Sequence, residues 1–196
     1  MFYTGGLGLD TEMLSFLLRK DKKTGKESIK VRLGDALEVN DNGGLLVSIG
    51  RLEEKYYMSR FWPLSTILKS RSNHNLKLSF SDGSMVVCDR LQKFMMGNRK
   101  WKEANKLTPE DTFFQVCRNP ELTECFGDFR DDQTNFWMLY AKGVKPIKFV
   151  KAEELPNKSL DLGIAVDFIR DNVILGNGLM AEGLCLNIKE HDTDWY

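Results

Sequence analysis

Leu76, Leu78 and Phe80 alternate with Lys77 and Ser79, the period-two pattern of a strand with one buried face. Ser81-Asp82-Gly83-Ser84 follows, and an Asp-Gly pair favours a tight hairpin because glycine accepts positive φ. Met85, Val86 and Val87 form the returning strand. Lys93-Phe94, a Gly97-Asn98 turn, Trp101 and a polar segment ending Leu107-Thr108-Pro109-Glu110-Asp111 complete this central stretch. Phe113 to Cys117 then reads as a further strand.

The same alternation recurs on both sides. Met1 to Gly8 is glycine-rich and reads as an extended arm, with Asp10-Thr11 leading into the apolar run Phe16-Leu17-Leu18. Lys20 to Lys26 is a charged turn tipped by Gly25, read as a solvated hairpin end in preference to a binding patch. Ile29, Val31 and Leu33 alternate with Lys30 and Arg32; Gly34-Asp35 interrupts the strand and Ala36 to Val39 resumes it. Asn42-Gly43-Gly44 signals a hairpin into Leu45 to Arg51. Pro63 argues against a helix through the aromatic segment that holds Tyr56, Tyr57, Phe61 and Trp62. Phe136 to Ala141 and Pro146 to Val150 read as a hairpin around Lys142-Gly143. Leu160 to Val166 alternates, Asp171-Asn172 turns the chain, Val173 to Leu175 returns, and Gly176-Asn177-Gly178 turns it again into Leu179 to Ala181. Short strands at close spacing with turn residues between them predict a mainly β domain of winding antiparallel hairpins with short helical turns. It spans residues 1–187, with a polar tail over 188–196. Val31 to Asp35 and Asn105 to Asp111 share an order of basic residue, leucine, turn and aspartate, which hints at two related halves.

Composition narrows the function classes. Lys+Arg 28 balance Asp+Glu 28, so the basic excess that replaces counterions on nucleic acid is missing. No apolar run is long enough to cross a bilayer, so no membrane role is expected. The start of the chain lacks the basic and apolar segments of a secretory signal, and the expected place of synthesis is the cytoplasm, with thiols free. Cys88, Cys117, Cys125 and Cys185 contain no Cys-x-x-Cys pair, and His74 and His191 are the only histidines, so neither a metal nor another cofactor is expected. Asp128, Asp131 and Asp132 could bind a cation, yet no glycine-punctuated ligand loop surrounds them and a solvated loop fits better. Tyr56, Tyr57, Phe61 and Trp62 read as core or interface aromatics, with a ligand shelf as the alternative. His74, between Asn73 and Asn75, is expected to face solvent.

Taken together, these motifs resemble the Hint domains of inteins and hedgehog autoprocessing proteins. The resemblance is carried by Asp10-Thr11 within Gly6 to Leu14 and by the Leu33-Gly34-Asp35 step within Val31 to Val39. Phe80 to Thr112 adds Asp82-Gly83, Trp101 and Leu107 to Asp111, and Leu160 to Gly183 follows the rhythm of the family's C-terminal part. In that family a cysteine or serine attacks the carbonyl before it, a histidine assists, and a terminal asparagine cyclises. Such steps need a nucleophile and a proton-transfer partner within reach. Here Gly6, or at best Gly8, stands at the nucleophile position, Gln92 at the assisting histidine, Glu182 at the penultimate histidine and Gly183 at the asparagine. Only Met1 to Gly5 precede the would-be junction, and no homing endonuclease domain fits within the chain.

The resemblance therefore implies a fold kept while its reaction was lost, and a non-catalytic structural, assembly or protein-binding role. Stand-alone domains of this kind resemble those in bacteriophage genomes, which makes a virion component, in tail, baseplate or capsid, the concrete expectation. Its partners would be other proteins, gripped by Tyr56, Tyr57, Phe61, Trp62, Trp195 and Tyr196, because aromatics anchor interfaces. The rival is a divergent autoprocessing protein using Cys88 or Cys185, each of which also reads as a structural residue.

Overall fold

The computed structural model describes residues 3–20, 24–25, 27–35, 47–53, 58–63, 67–72, 74–115, 136–138, 146–156, 160–165, 172–183 and 185–186. In chain order these form β1 (Tyr3–Thr4), β2 (Leu7–Gly8), β3 (Glu12–Lys20), β4 (Glu27–Arg32), β5 (Val47–Glu53) and β6 (Met58–Pro63). There follow β7 (Ile67–Ser72), β8 (Asn75–Phe80), β9 (Met85–Asp89), β10 (Lys93–Met95), β11 (Trp101–Glu103) and a 3-10 turn at Ala104–Lys106. The chain continues through β12 (Phe136–Met138), β13 (Phe149–Glu154), β14 (Leu160–Ala165), β15 (Asn172–Ile174), β16 (Met180–Ala181) and β17 (Cys185–Leu186).

A seven-stranded sheet runs β11-β10-β16-β15-β5-β6-β12 and a six-stranded sheet runs β13-β8-β9-β2-β14-β7. Two ribbons, β1-β17 and β3-β4, complete the described strands. Every recorded pairing is antiparallel, as the sequence pattern predicts. Among the described residues no helix is long and apolar enough to cross a membrane.

The local turns form where their residues dictate. Gly83 takes φ 84° and donates to the Phe80 carbonyl at 3.0 Å, while Asp82 accepts from the Ser84 N–H at 2.9 Å. That closes β8 onto β9 with Leu78 opposite Val86 and Leu76 opposite Cys88, all four buried. Gly25, at φ 70°, tips the β3-β4 ribbon. The core gathers Leu78, Cys88, Phe94, Leu175 and Leu179, each fully buried. Phe80 meets Phe113 and Phe149 edge-on, with ring centroids 5.7 and 6.3 Å apart.

Long-range pairings depart from the sequence expectation. Phe136 to Ala141 and Pro146 to Val150 do not form a hairpin with each other: β12 pairs with β6, and β13 pairs with β8. Burial of Phe149 against Phe80 decides the second pairing. β14 and β15 likewise lie in different sheets, so the strands before and after the Asp171-Asn172 step do not pair with each other. Phe113 to Cys117 is no strand over its described part. Phe113, Phe114 and Gln115 are all buried, and only single bridges form there, Met96–Phe113 and Gln115–Leu179. The opening residues are not a free arm: β1 lies against β17, and β2 sits inside the six-stranded sheet with Leu7 in the core. β4 stops at Arg32, and Leu33 starts a helical turn instead of extending the strand.

Tyr56, Tyr57, Trp195, Tyr196, Cys117, Cys125, the Asp128–Asp132 cluster, Ala36 to Val39, Asn42 to Gly44, Lys142-Gly143 and the tail over 188–196 lie outside the described residues.

Candidate functional site

β1 and β17 place the two ends of the described chain side by side, with Thr4 opposite Cys185 and Tyr3 opposite Leu186. Gly5 at φ 90° and Gly6 at φ 146° then steer the chain from that ribbon into β2. Both angles favour glycine. The Gly6 carbonyl accepts from the Asp89 N–H at 2.9 Å, which locks the bend to the end of β9.

Gln92 sits against this bend. It is 3% exposed, and its side-chain amide is fully engaged. Oε1 accepts from the Gly6 N–H at 2.7 Å, a buried bond between residues 86 apart in sequence. Nε2 donates to the carbonyls of Lys93 at 3.0 Å and Glu182 at 2.8 Å. The Glu182 N–H in turn donates to the Lys93 carbonyl at 3.0 Å. Gly6, Gln92 and Glu182, assigned from sequence to one degenerate site, are thus brought into one bonded cluster, with buried Gly183 next in the chain.

Asp89 holds the loop that presents Gln92. Its Oδ1 accepts from the Leu91 N–H at 2.8 Å, its Oδ2 accepts from the Ser72 hydroxyl, and its carbonyl accepts from the Gln92 N–H at 3.0 Å. Sequence reading missed this role. The signal was the Asp-x-x-Gln spacing of an Asx turn, in which the carboxylate bonds the backbone two residues on.

The chemistry open to this cluster is narrow. A glutamine amide neither takes up nor releases a proton near neutral pH. Glycine offers no nucleophile at position 6. At Gly8 a side chain has no room, since a Cβ there would come within 2.9 Å of Val87 Cβ. Cys88 lies in the core directly opposite Leu7, fully buried. Burial first, and then the charge of Asp89, push its thiol far above the ordinary range. The reactive thiolate is therefore scarce there. Cys185 differs: its backbone lies across from Thr4, two residues before Gly6. His74 is exposed, as expected from its neighbours. Phe61 and Trp62 run within β6, opposite Ile49 and Ser48.

A concavity of about 360 Å³ opens beside the Gly97-Asn98 turn and is lined by Met96, Asn98, Trp101, Lys102, Glu110 and Asp111 among others. Lys102 Nζ donates to both Asp111 oxygens at 2.8 and 2.9 Å, and the Thr108 N–H donates to Oδ2 at 2.8 Å. Burial raises the Asp111 carboxyl, but the bonds from Lys102 and Thr108 outweigh it and hold the group below its ordinary value.

With this geometry in place, solved structures give the decisive likeness. A DnaB intein from Synechocystis sp. PCC 6803 superposes with a TM-score of 0.55 at 11% identity, covering 91% of this chain and 98% of that one. This chain has a Hint-like, intein-like fold. The Ssp DnaB mini-intein variant M86 gives a TM-score of 0.55 at 11% identity over 93% and 97% of the two chains. A bacterial intein-like domain from Clostridium thermocellum gives 0.52 at 13% identity over 91% and 98%. No protein-family model and no curated protein matches the sequence. At such identities the likeness of this Hint-like chain to inteins is one of fold.

Proposed function

We propose that this Hint-like domain is non-catalytic and works as a protein-binding or assembly module, as a component of a larger structure such as a virion. The observation that carries the reading is the Gln92 amide. It occupies the junction between Gly6 and Glu182, and each of its polar atoms is already bonded to backbone. A side chain committed as a buried backbone clamp, and with no proton to take or give, has no acid or base of its own to lend where the assisting histidine would stand. The interface falls on the aromatic segment Tyr56 to Trp62 and on Trp195-Tyr196, since aromatic side chains anchor protein contacts.

One observation favours a second reading. Cys185 lies two residues after Gly183 and pairs across the ribbon with Thr4, two residues before Gly6, where a residual autoprocessing nucleophile could act. Cys88 is poorly suited to that role, being buried with its thiol held protonated.

Intact mass of the purified chain, incubated with and without added thiol, separates the two. The assembly reading expects a single undiminished mass in both. Thiol-stimulated cleavage that disappears in Cys185→Ala would overturn it. Replacing Phe61, Trp62 and Trp195 together by alanine is expected to weaken association; unchanged association would displace the interface from these residues.

A further inference from the structure

β13 closes one side of the six-stranded sheet, bonded to β8 and, among the described residues, to no strand beyond it. Phe149 is buried, but every residue from Val150 to Glu154 is exposed. The Leu155 N–H donates to the Asn75 carbonyl at 3.1 Å, and Glu153 lies opposite Lys77 in the same register. Bonded pairs recur at every second residue of an antiparallel ladder. Lys151 and Glu153 therefore direct their backbone groups to β8, while Ala152 and Glu154 turn theirs outward. An outward row of unpaired N–H and C=O groups is a template for another strand.

The charges along this edge select which strand fits. Lys151 and Glu153 share one face, with Nζ and Oε1 2.8 Å apart. Consider a second copy laid antiparallel along β13 about a two-fold axis. An axis through Lys151 sets lysine against lysine, and one through Glu153 sets glutamate against glutamate. An axis through Ala152 sets Lys151 opposite Glu153 of the second copy, twice over, with the small Ala152 side chains at the centre. Only this last register joins the outward backbone groups while pairing opposite charges, and like charges directly opposite are destabilising. The ladder also has built ends. Lys148 commits its N–H and carbonyl to Ser81, at 2.9 and 2.8 Å, and Pro156 has no N–H to give.

Lysines and bulges can also blunt sheet edges against association. Here the bulge falls at the start of the strand, between Phe149 and Lys151, and the lysine is matched by a glutamate two residues on. The edge therefore repels the shifted registers and leaves the centred one open. We propose that this chain self-associates through β13, centred on Ala152, joining the six-stranded sheets of two copies into one continuous sheet. The interface is isologous and small, so it forms a weak, reversible dimer.

The inference rests on the assembly reading for its biological sense, yet the two fail separately. Self-cleavage would remove that reading and leave the dimer, whereas a monomeric chain would remove the dimer and leave that reading. Sedimentation from micromolar to several hundred micromolar chain is the test, and the wild type is expected to shift from monomer to dimer. Ala152→Pro deletes an outward N–H that β8 does not use, so the fold should persist by circular dichroism while dimerisation is lost. Lys151→Glu and Glu153→Lys should each raise the dissociation constant about tenfold, by opposing like charges at both symmetric positions. The double swap restores the pairing and should return it to within about threefold of wild type. A wild type that stays monomeric, a dimer indifferent to Ala152→Pro, or a double swap no better than either single change would each overturn the proposal.

Discussion

Two hairpins of this molecule are built to one plan from sequences that share little beyond Gly-Asn. In the first, β10 to β11, the Met96 N–H donates to the Lys100 carbonyl and the Arg99 N–H to Met96, both at 2.9 Å. In the second, β15 to β16, Leu175 donates to Leu179 and Gly178 to Leu175, again at 2.9 Å. The asparagine Oδ1 of each turn accepts the N–H two residues on, Asn98 from Lys100 at 3.0 Å and Asn177 from Leu179 at 3.1 Å. Each turn glycine then docks on a segment elsewhere in the chain. Gly97 donates to the Thr112 carbonyl at 2.7 Å, beside the Met96–Phe113 bridge, and Gly176 donates to Glu12 at 2.8 Å, beside the Met13–Leu175 bridge. The two hairpins meet where Phe94 pairs with Ala181. The molecule thus repeats itself, though through other residues than Val31 to Asp35 and Asn105 to Asp111, which suggested two halves from sequence.

What differs between the copies is side-chain support. The first turn carries Arg99 at φ 62° where the second carries Gly178 at φ 87°. The residue before the docking threonine is also unlike: the first hairpin packs near the Asp111–Lys102 pair, whereas the matching position before Glu12 is Thr11, buried and bonded to the Val87 carbonyl at 3.3 Å. Backbone hydrogen bonds fix the shape, and each copy then found its own way to hold it.

The largest expected effect lies at the seam. Gln92→Ala leaves the buried Gly6 N–H without its acceptor and the Glu182 carbonyl without a donor. Unsatisfied buried groups of this kind should lower stability by about 3 kcal/mol in chemical denaturation. Amide exchange at Gly6 should quicken in the same variant. A loss near zero would mean that the hairpins hold together without the clamp.

The docking glycines come next, and here the copies should separate. A Cβ at Gly176 would meet the Glu12 Cβ at 3.1 Å and backbone atoms at 3.4 Å, none of which can swing away. Gly176→Ala should therefore cost about 2 kcal/mol as the strand shifts. At Gly97 the nearest atom, at 3.0 Å, is the hydroxyl of exposed Thr112, which can rotate aside. Gly97→Ala should cost less than about 1 kcal/mol. Equal losses in thermal unfolding would refute the difference in packing.

Much of this plan was legible in the sequence, and the division is physical. Asp82-Gly83, Gly25 and Gly176-Asn177-Gly178 announce turns because their φ preferences act within a few residues, and each turn is present. Pairings across long separations were not legible. Lys142-Gly143 looked like a hairpin tip, yet β13 finds β8 because Phe149 completes an aromatic cluster that no local pattern reveals. Of the site, Gly6, Gln92 and Glu182 were reached through resemblance, and the structure brings them together. Asp89, which positions Gln92, escaped notice because it acts through the backbone of its own turn and a serine hydroxyl seventeen residues away.

Acid should divide the copies more gently. Asp111 has a folded value below its ordinary one, so its contribution is complete above the unfolded value, about 4. It is lost as pH falls through the folded value. Asp111→Asn should cost about 1 kcal/mol at neutral pH, as a partly buried ion pair does. The gap between wild type and variant should close as the solution is acidified below about pH 4. The Gly97 amide, bonded to the Thr112 carbonyl next to Asp111, should report this titration step in NMR spectra. A gap that widened on acidification would contradict the assigned direction.

The smallest effect belongs to the turn residue itself. Arg99 holds a left-handed conformation that disfavours side chains by about 1 kcal/mol, and Arg99→Gly removes that strain. Glycine also frees the unfolded chain, an opposing loss of about 0.5 to 1 kcal/mol. The changes should nearly cancel, leaving stability within about 0.5 kcal/mol of wild type by denaturant titration. A much larger loss would mean that the first hairpin is held by its arginine as firmly as by its backbone, and that the likeness between the two turns stops at their hydrogen bonds.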